Sequence, residues 1–171
     1  MNFQKKKITL IIPCYNEYDS LDLLIEKCNN KEFRKNIDVI LVDNGSTDNT
    51  QKLLSMKLNK IKHIKHLRLK HNRGYGFGIL TGIKRAKTDF VGWTHADLQT
   101  DPLDLLKAVS MINKFGDNIF IKGKRKGRPF FDTLFTIGMS IFESIIFKKI
   151  LWDINAQPTI LHKSLVTKMI N

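Results

Sequence analysis

His95, Asp97 and Gln99 alternate in the stretch WTHADLQTDP, residues 93–102, which follows a short apolar run. One imidazole, one carboxylate and one amide oxygen at that spacing, completed by water and phosphate oxygens, suit a hard divalent cation, Mg2+ or Mn2+. The imidazole leans toward Mn2+. Taken alone, the stretch reads better as an ordinary turn in which Asp97 caps the backbone and His95 is incidental. Asp101-Pro102 looks like the start of a helix, with proline in the first turn.

Three other stretches share this mixture of turn-forming and chemically capable residues. They are PCYNE (with Pro13, Tyr15 and Glu17), DNGSTDNT (Asp43 to Thr50) and HNRGYGFG. Each has a local explanation, because Asp, Asn, Gly and Ser favour turns through their own backbone hydrogen bonds. Gly74, Gly76 and Gly78 do not complete a dinucleotide fingerprint, since neither register ends on Gly or Ala. No phosphate-loop lysine motif is present either.

The elements that must position these stretches alternate between strand and helix. ITLIIP reads as a buried strand, and SLDLLIEKC as a helix with Ser20 at its N-cap. IDVILV is a second strand and QKLLSMKL a helix behind Thr50, while HIKHLRL is a weaker third strand. A glycine-rich turn opens a helix around Gly78–Lys87. FVGWT is a fourth strand, LDLLKAVSMINKF a helix after Pro102, and NIFIKG a fifth strand. This order predicts an α/β fold, a mostly parallel sheet with helices on both faces. The candidate stretches then fall at the carboxyl ends of strands, where such sheets bind ligands.

The chain has 171 residues, 42% of them hydrophobic, which suits one domain. Its formal charge of +13 attracts anionic membrane or phosphorylated small molecules. Nucleic acid is disfavoured, because aromatics are not interleaved with the basic residues as stacking platforms require. Cys14 and Cys28 have no metal-ligand spacing and fit a reducing, cytoplasmic location. No stretch approaches the roughly 20 apolar residues of a membrane span.

In order along the chain, IIPCYNE, VDNGSTDNT, NRGYGFG, ADLQTDP and DINAQP resemble the signatures of glycosyltransferase family 2, the enzymes of GT-A fold. The resemblance is strongest to the dolichyl-phosphate-mannose-synthase-like branch, whose members act on polyprenyl phosphates. It runs from Ile8 to Pro158. It implies one GT-A domain over residues 1–171, short at the C-terminus. Pro13, Tyr15, Glu17 and Asp43 match residues lining the nucleotide pocket. His95, Ala96 and Asp97 match the D-x-D element that holds the metal on the donor diphosphate, and Gln99 matches a later ligand. Arg125 matches a basic residue near the donor, and Asp153 an aspartate near the acceptor. Two departures stand out: His95 replaces the usual first aspartate, and the chain ends at Asn171, where family members commonly continue.

The implied reaction is inverting transfer of a sugar from a nucleoside-diphosphate sugar, GDP-mannose or a UDP-sugar. The metal and Arg125 would stabilise charge on the departing diphosphate. A polyprenyl phosphate acceptor is already anionic, whereas a sugar hydroxyl would make Asp153 the natural base. The basic run KGKRKGR and the apolar segment at 129–152 favour the lipid. That segment reads as amphipathic helices lying in a membrane interface, with core packing as the alternative. The expectation is therefore a peripheral protein on the cytoplasmic membrane face, serving cell-envelope glycan synthesis, with room for a membrane-protein partner or a homo-oligomer. Transfer to a glycan or small molecule, and a catalytically silent nucleotide-sugar-binding or membrane-docking module, are the other readings.

Overall fold

The computed structural model describes residues 8–124, 136–141, 144–145, 148 and 156–170. Strand β1 (Ile8–Cys14) is buried at every position. A strand so enclosed must find backbone partners on both edges, and β1 has them in β2 (Ile37–Asp43) and β4 (Phe90–Trp93), both parallel. β3 (Ile64–Arg68) pairs in parallel with β2. The sheet has six strands in the order β3-β2-β1-β4-β6-β5. β6 (Thr159–His162) runs antiparallel between β4 and the edge strand β5 (Phe120–Lys122). Chain order reverses between β1 and β4, which opens a crevice at their carboxyl ends.

Side chains alternate across β1, so the core divides in two. Ile8, Leu10, Ile12 and Cys14 join a cluster with α1 (Tyr18–Cys28), α2 (Lys31–Asn36), α3 (Thr50–Leu58) and α5 (Leu105–Phe115). Ile11 points the other way, toward α4 (Tyr75–Arg85) and α6 (Lys163–Ile170). α4 lies unusually close to β1. A Cβ on Gly82 would stand 2.4 Å from Ile11 Cγ2, and one on Gly78 would stand 2.9 Å from Pro13 Cβ. Glycine at both places lets the helix backbone rest on the strand.

The expected alternation of strands and helices is present, with local differences. α1 begins at Tyr18, so Ser20 is in its first turn and not at the cap, donating its hydroxyl to Glu17 O and Oε2. α4 begins at Tyr75, ahead of the expected start, because Gly74 supplies the positive φ of 84° at its cap. α2 and β6 were not expected from the pattern, and NIFIKG contributes only three strand residues.

The segment 129–152 is described only in part. Residues 136–141 are helical, Ser140 is buried, and Met139, Ile141 and Ile145 are exposed. Among the described residues, no helix is long and apolar enough to cross a membrane.

Candidate functional site

The loops after β1 and β2 are tied together by hydrogen bonds. Asn44 N donates to Cys14 O at 2.8 Å, continuing the strand pairing by one step. Asn16, in the left-handed region at φ 56°, donates its N–H to Ser46 Oγ and accepts from Thr47 N at 2.9 Å. Glu17 N donates to Thr50 Oγ1 at 3.0 Å and Tyr18 N to Asp48 Oδ2. Burial works against charge on Asp48, but hydrogen bonds from Thr50 and Tyr18 outweigh it and hold its carboxyl below the ordinary value.

The loop after β3 is stitched in the same way. Asn44 Nδ2 donates to Asn72 Oδ1 and to Gly74 O, both at 3.0 Å, while Asn44 Oδ1 accepts from Arg73 N. Gly45, at φ 77°, passes so near this loop that a Cβ there would meet Asn72 N at 2.6 Å.

Of the sequence candidates, Pro13 is buried beneath α4, Tyr15 is exposed and Glu17 half-buried. Asp43 is fully buried: Oδ1 accepts from Ser46 N at 2.8 Å, and Oδ2 accepts from Arg68 Nη1. The Arg68 side chain remains 32% exposed, so it is the partly accessible member of this pair. Pro13, Tyr15, Glu17 and Asp43 therefore meet in one loop cluster, at different depths.

Beyond β4, Ala96 is buried in the core, while Asp97 and Gln99 are exposed and His95 is half-buried. Asp97 Oδ1 accepts from Gln99 N at 3.1 Å, closing a tight turn around Leu98, whose φ is 60°. Leu98 packs on the core, leaving the Asp97 carboxylate toward solvent. The His95 ring stacks on Tyr75, with centroids 4.6 Å apart and planes 16° apart. Asp101 caps the 3-10 turn Pro102–Asp104 by accepting from Leu103 N.

Among the described residues, no three of His, Cys, Asp and Glu come together as a metal cage. The donor set is one carboxylate, one imidazole and one amide. That is too little for a closed protein site, but it fits a hard cation that takes its remaining ligands from phosphates and water. A cleft of about 550 Å3 adjoins this turn, running from His95 and Gln99 along α5 to Lys122 and Lys124. Arg125 and Asp153 lie outside the described residues.

Sequence reasoning missed several members of the site. Arg68 lies outside every quoted motif, and Asn72, within HNRGYGFG, was given no role; they matter because β2, β3 and α4 bring them beside Asp43 and Asn44. Tyr75 and Gln157 were missed as well. Tyr75 Oη and Gln157 Oε1 are buried without a hydrogen-bond partner among the described residues, as is Thr94 Oγ1. Gly123 allows Gln157 to come this close, since a Cβ there would meet Gln157 O at 1.9 Å.

The chain is similar to known proteins in sequence and in fold. An undecaprenyl-phosphate 4-deoxy-4-formamido-L-arabinose transferase of Yersinia enterocolitica is 36% identical over 109 residues, covering 62% of this chain and 33% of the relative. A protein of the same name from Proteus mirabilis is 35% identical over 112 residues, covering 63% and 34%. The chain thus spans about a third of the length of these curated relatives. Among solved structures, a mannosyltransferase of Pyrobaculum calidifontis in complex with GDP-Man and Mn2+ superposes with a TM-score of 0.71 at 18% identity, covering 98% of this chain and 47% of the other. S. aureus TarS in complex with UDP-GlcNAc gives 0.63 at 21% identity, covering 96% and 47%. The sequence pattern of glycosyl transferase family 2 matches residues 9–158. With a doubly covered sheet, a crevice at the β1/β4 reversal and these matches, the chain belongs to glycosyl transferase family 2 and has the GT-A fold.

Proposed function

We propose that this chain carries the donor-binding part of an inverting glycosyltransferase that moves a sugar from a nucleoside-diphosphate sugar to a polyprenyl phosphate at a membrane surface. The observation that carries the reading is the meeting of the β1, β2, β3 and β4 loops at the reversal point of a family 2 fold. The curated relatives named for undecaprenyl-phosphate transfer support the lipid acceptor. Tyr15, Glu17 and the Asp43–Arg68 pair face the nucleotide. Burial of Asp43 gives Arg68 a direct part there, with Asp43 behind it.

Asp97, His95 and Gln99 would hold Mg2+ or Mn2+ on the donor diphosphate, where the ion supplies electrostatic stabilisation of the leaving group. Asp97 brings the only formal negative charge of that set, Ala96 keeps the turn seated in the core, and Arg125 would add positive charge nearby. Asp153 stands on the acceptor side in this reading. The donor is GDP-mannose or a UDP-sugar.

The membrane reading for 129–152 has support from an inverted pattern in its described part. Ser140 is turned inward at 3% exposure, while Ile141 and Ile145 stand out at 56% and 71%. A water-facing helix would present the opposite arrangement, and an interfacial one presents this. The location proposed is the cytoplasmic face of the membrane, held peripherally.

The test is turnover of labelled UDP- and GDP-sugars with undecaprenyl phosphate in vesicles, beside a thermal-shift screen of the same nucleotides with and without Mn2+. Product in the organic phase supports the reading. Nucleotide binding without product from any acceptor would replace it with a silent binding module, and product only on a glycan would replace the acceptor.

A further inference from the structure

We propose that Tyr75 is a positioning residue for His95, setting the plane of the imidazole so that a histidine serves where the family expects a carboxylate. The inference rests on the metal reading given under Proposed function. A carboxylate presents lone pairs in several directions and tolerates rotation. A neutral imidazole presents one lone pair, in the plane of its ring, on one nitrogen. Replacing aspartate by histidine therefore adds a requirement, that the ring plane be fixed by something outside the ligand set.

The structure supplies that constraint in Tyr75. Its ring lies nearly flat on the imidazole, 4.6 Å between centroids and 16° between planes. A face-to-face stack restrains the plane while occupying neither ring nitrogen, which a hydrogen-bonding partner would do. Tyr75 is itself well anchored. It is the first residue of α4, it packs against the α4-side core, and α4 is seated on β1 through Gly78 and Gly82.

Gln157 approaches from the opposite side of the sheet crevice. β4 and β6 pair with Trp93 against Thr159, so continuing the antiparallel register by two positions brings His95 level with Gln157. The Gln157 side chain comes up to the Tyr75 hydroxyl, whose burial pushes the phenol above its ordinary value. Both Tyr75 Oη and Gln157 Oε1 are buried, and although the two groups face each other, their approach is too loose to make a hydrogen bond of good geometry. The stack is therefore held by packing and by the backbone of α4. On that footing the ring of Tyr75, not its hydroxyl, is the working part.

Five proteins separate positioning from plain packing: wild type, Tyr75→Phe, Tyr75→Leu, His95→Asp, and Tyr75→Leu combined with His95→Asp. The readouts are UDP and GDP affinity by calorimetry with and without Mn2+, and the NMR shift of the His95 ring protons, which a stacked aromatic moves upfield. Tyr75→Leu is expected to reduce the Mn2+-dependent gain in affinity roughly three- to tenfold, to leave metal-free affinity unchanged, and to release the upfield shift. Tyr75→Phe should keep all three properties. With His95→Asp, Tyr75→Leu should cost nothing relative to His95→Asp alone. Should Tyr75→Leu fail to fold, Tyr75→Met, similar in bulk but without a flat ring, carries the same expectation. A Mn2+ gain that survives the loss of the ring intact overturns this inference alone, as does an equal loss in the His95→Asp background. Wild type with no Mn2+ gain overturns the metal reading and this inference with it.

Discussion

Lys27 Nζ stands 2.7 Å from Asp101 Oδ2, joining the last turn of α1 to the cap that ends the His95–Gln99 turn. The same carboxylate accepts from Leu103 N through Oδ1. One side chain thus links the element after β1 to the element after β4, the two strands that flank the crevice.

The pair should show in the pH dependence of stability. Burial opposes charge on Asp101, but the hydrogen bonds from Lys27 and Leu103 and the Lys27 charge together hold its carboxyl below the ordinary value. A lowered folded pKa stabilises above the unfolded value, near 3.9, and that stability is lost as pH falls through the folded value. With side chains 28% and 43% exposed, screening limits the pair to about 0.5–1 kcal/mol. Lys27→Met should melt roughly 1–3 °C lower than wild type at pH 7, the gap narrowing as the pH falls below the unfolded carboxylate value, about 3.9. A gap that stays constant however far the pH is lowered before the fold is lost would remove the ion pair from the account.

Gly82→Ala and Gly76→Ala should act in opposite directions although both lie in α4. Alanine favours helix over glycine by about 1 kcal/mol, and at Gly76 nothing stands within 4 Å of the new Cβ. At Gly82 the methyl meets the branched carbons of Ile11 on a buried strand, an overpacking cost of about 1–3 kcal/mol beyond that gain. Thermal melts of the two variants decide it; equal effects would mean that α4 slides freely on β1.

Asp97→Ala should abolish the Mn2+-dependent part of nucleoside-diphosphate binding, since Asp97 is the charged member of the proposed ligand set. His95→Asp should shift preference from Mn2+ toward Mg2+. Calorimetry with each ion checks both. Unchanged affinity in Asp97→Ala with Mn2+ present would sink the metal assignment.

Met139, Ile141 and Ile145 are exposed, so replacing all three by serine should leave the fold and nucleotide binding intact. Sedimentation with anionic vesicles should fall, most clearly at high salt, where the +13 charge is screened and apolar insertion remains. Full retention on vesicles at high salt would place the contact elsewhere.

Much of this architecture was legible because its signals are local. Ile8–Ile12 announces a buried strand, Pro102 the start of a helix, and turn-forming residues mark the loops at strand ends. β6 was not legible. Its four residues fall directly between Pro158 and the start of α6, and nothing in TILH tells which strands it will separate. Asp97 and Gln99 stand out by type and spacing, but spacing alone reads as a turn, and their proposed role comes from the family resemblance. The Tyr75–His95 stack and the Asn44–Asn72 hydrogen bond join distant loops by chain topology, and no spacing rule encodes them. Asp43 shows the converse: its motif is plain, but the depth that hands the exposed position to Arg68 depends on β3 lying alongside.

The place of β6 in the sheet also dictates an order of events during synthesis. β3, β2, β1 and β4 are contiguous in space and all emerge early, so that half can close on its own helices. β5 emerges next with no strand to join, because its one neighbour among the described residues is β6, which arrives after the segment at 125–155. Until then β4 offers a bare edge, open to another chain. A fragment cut at Pro158, where the family match stops, would keep that edge permanently. Such a fragment should self-associate, while one extended through α6 should not.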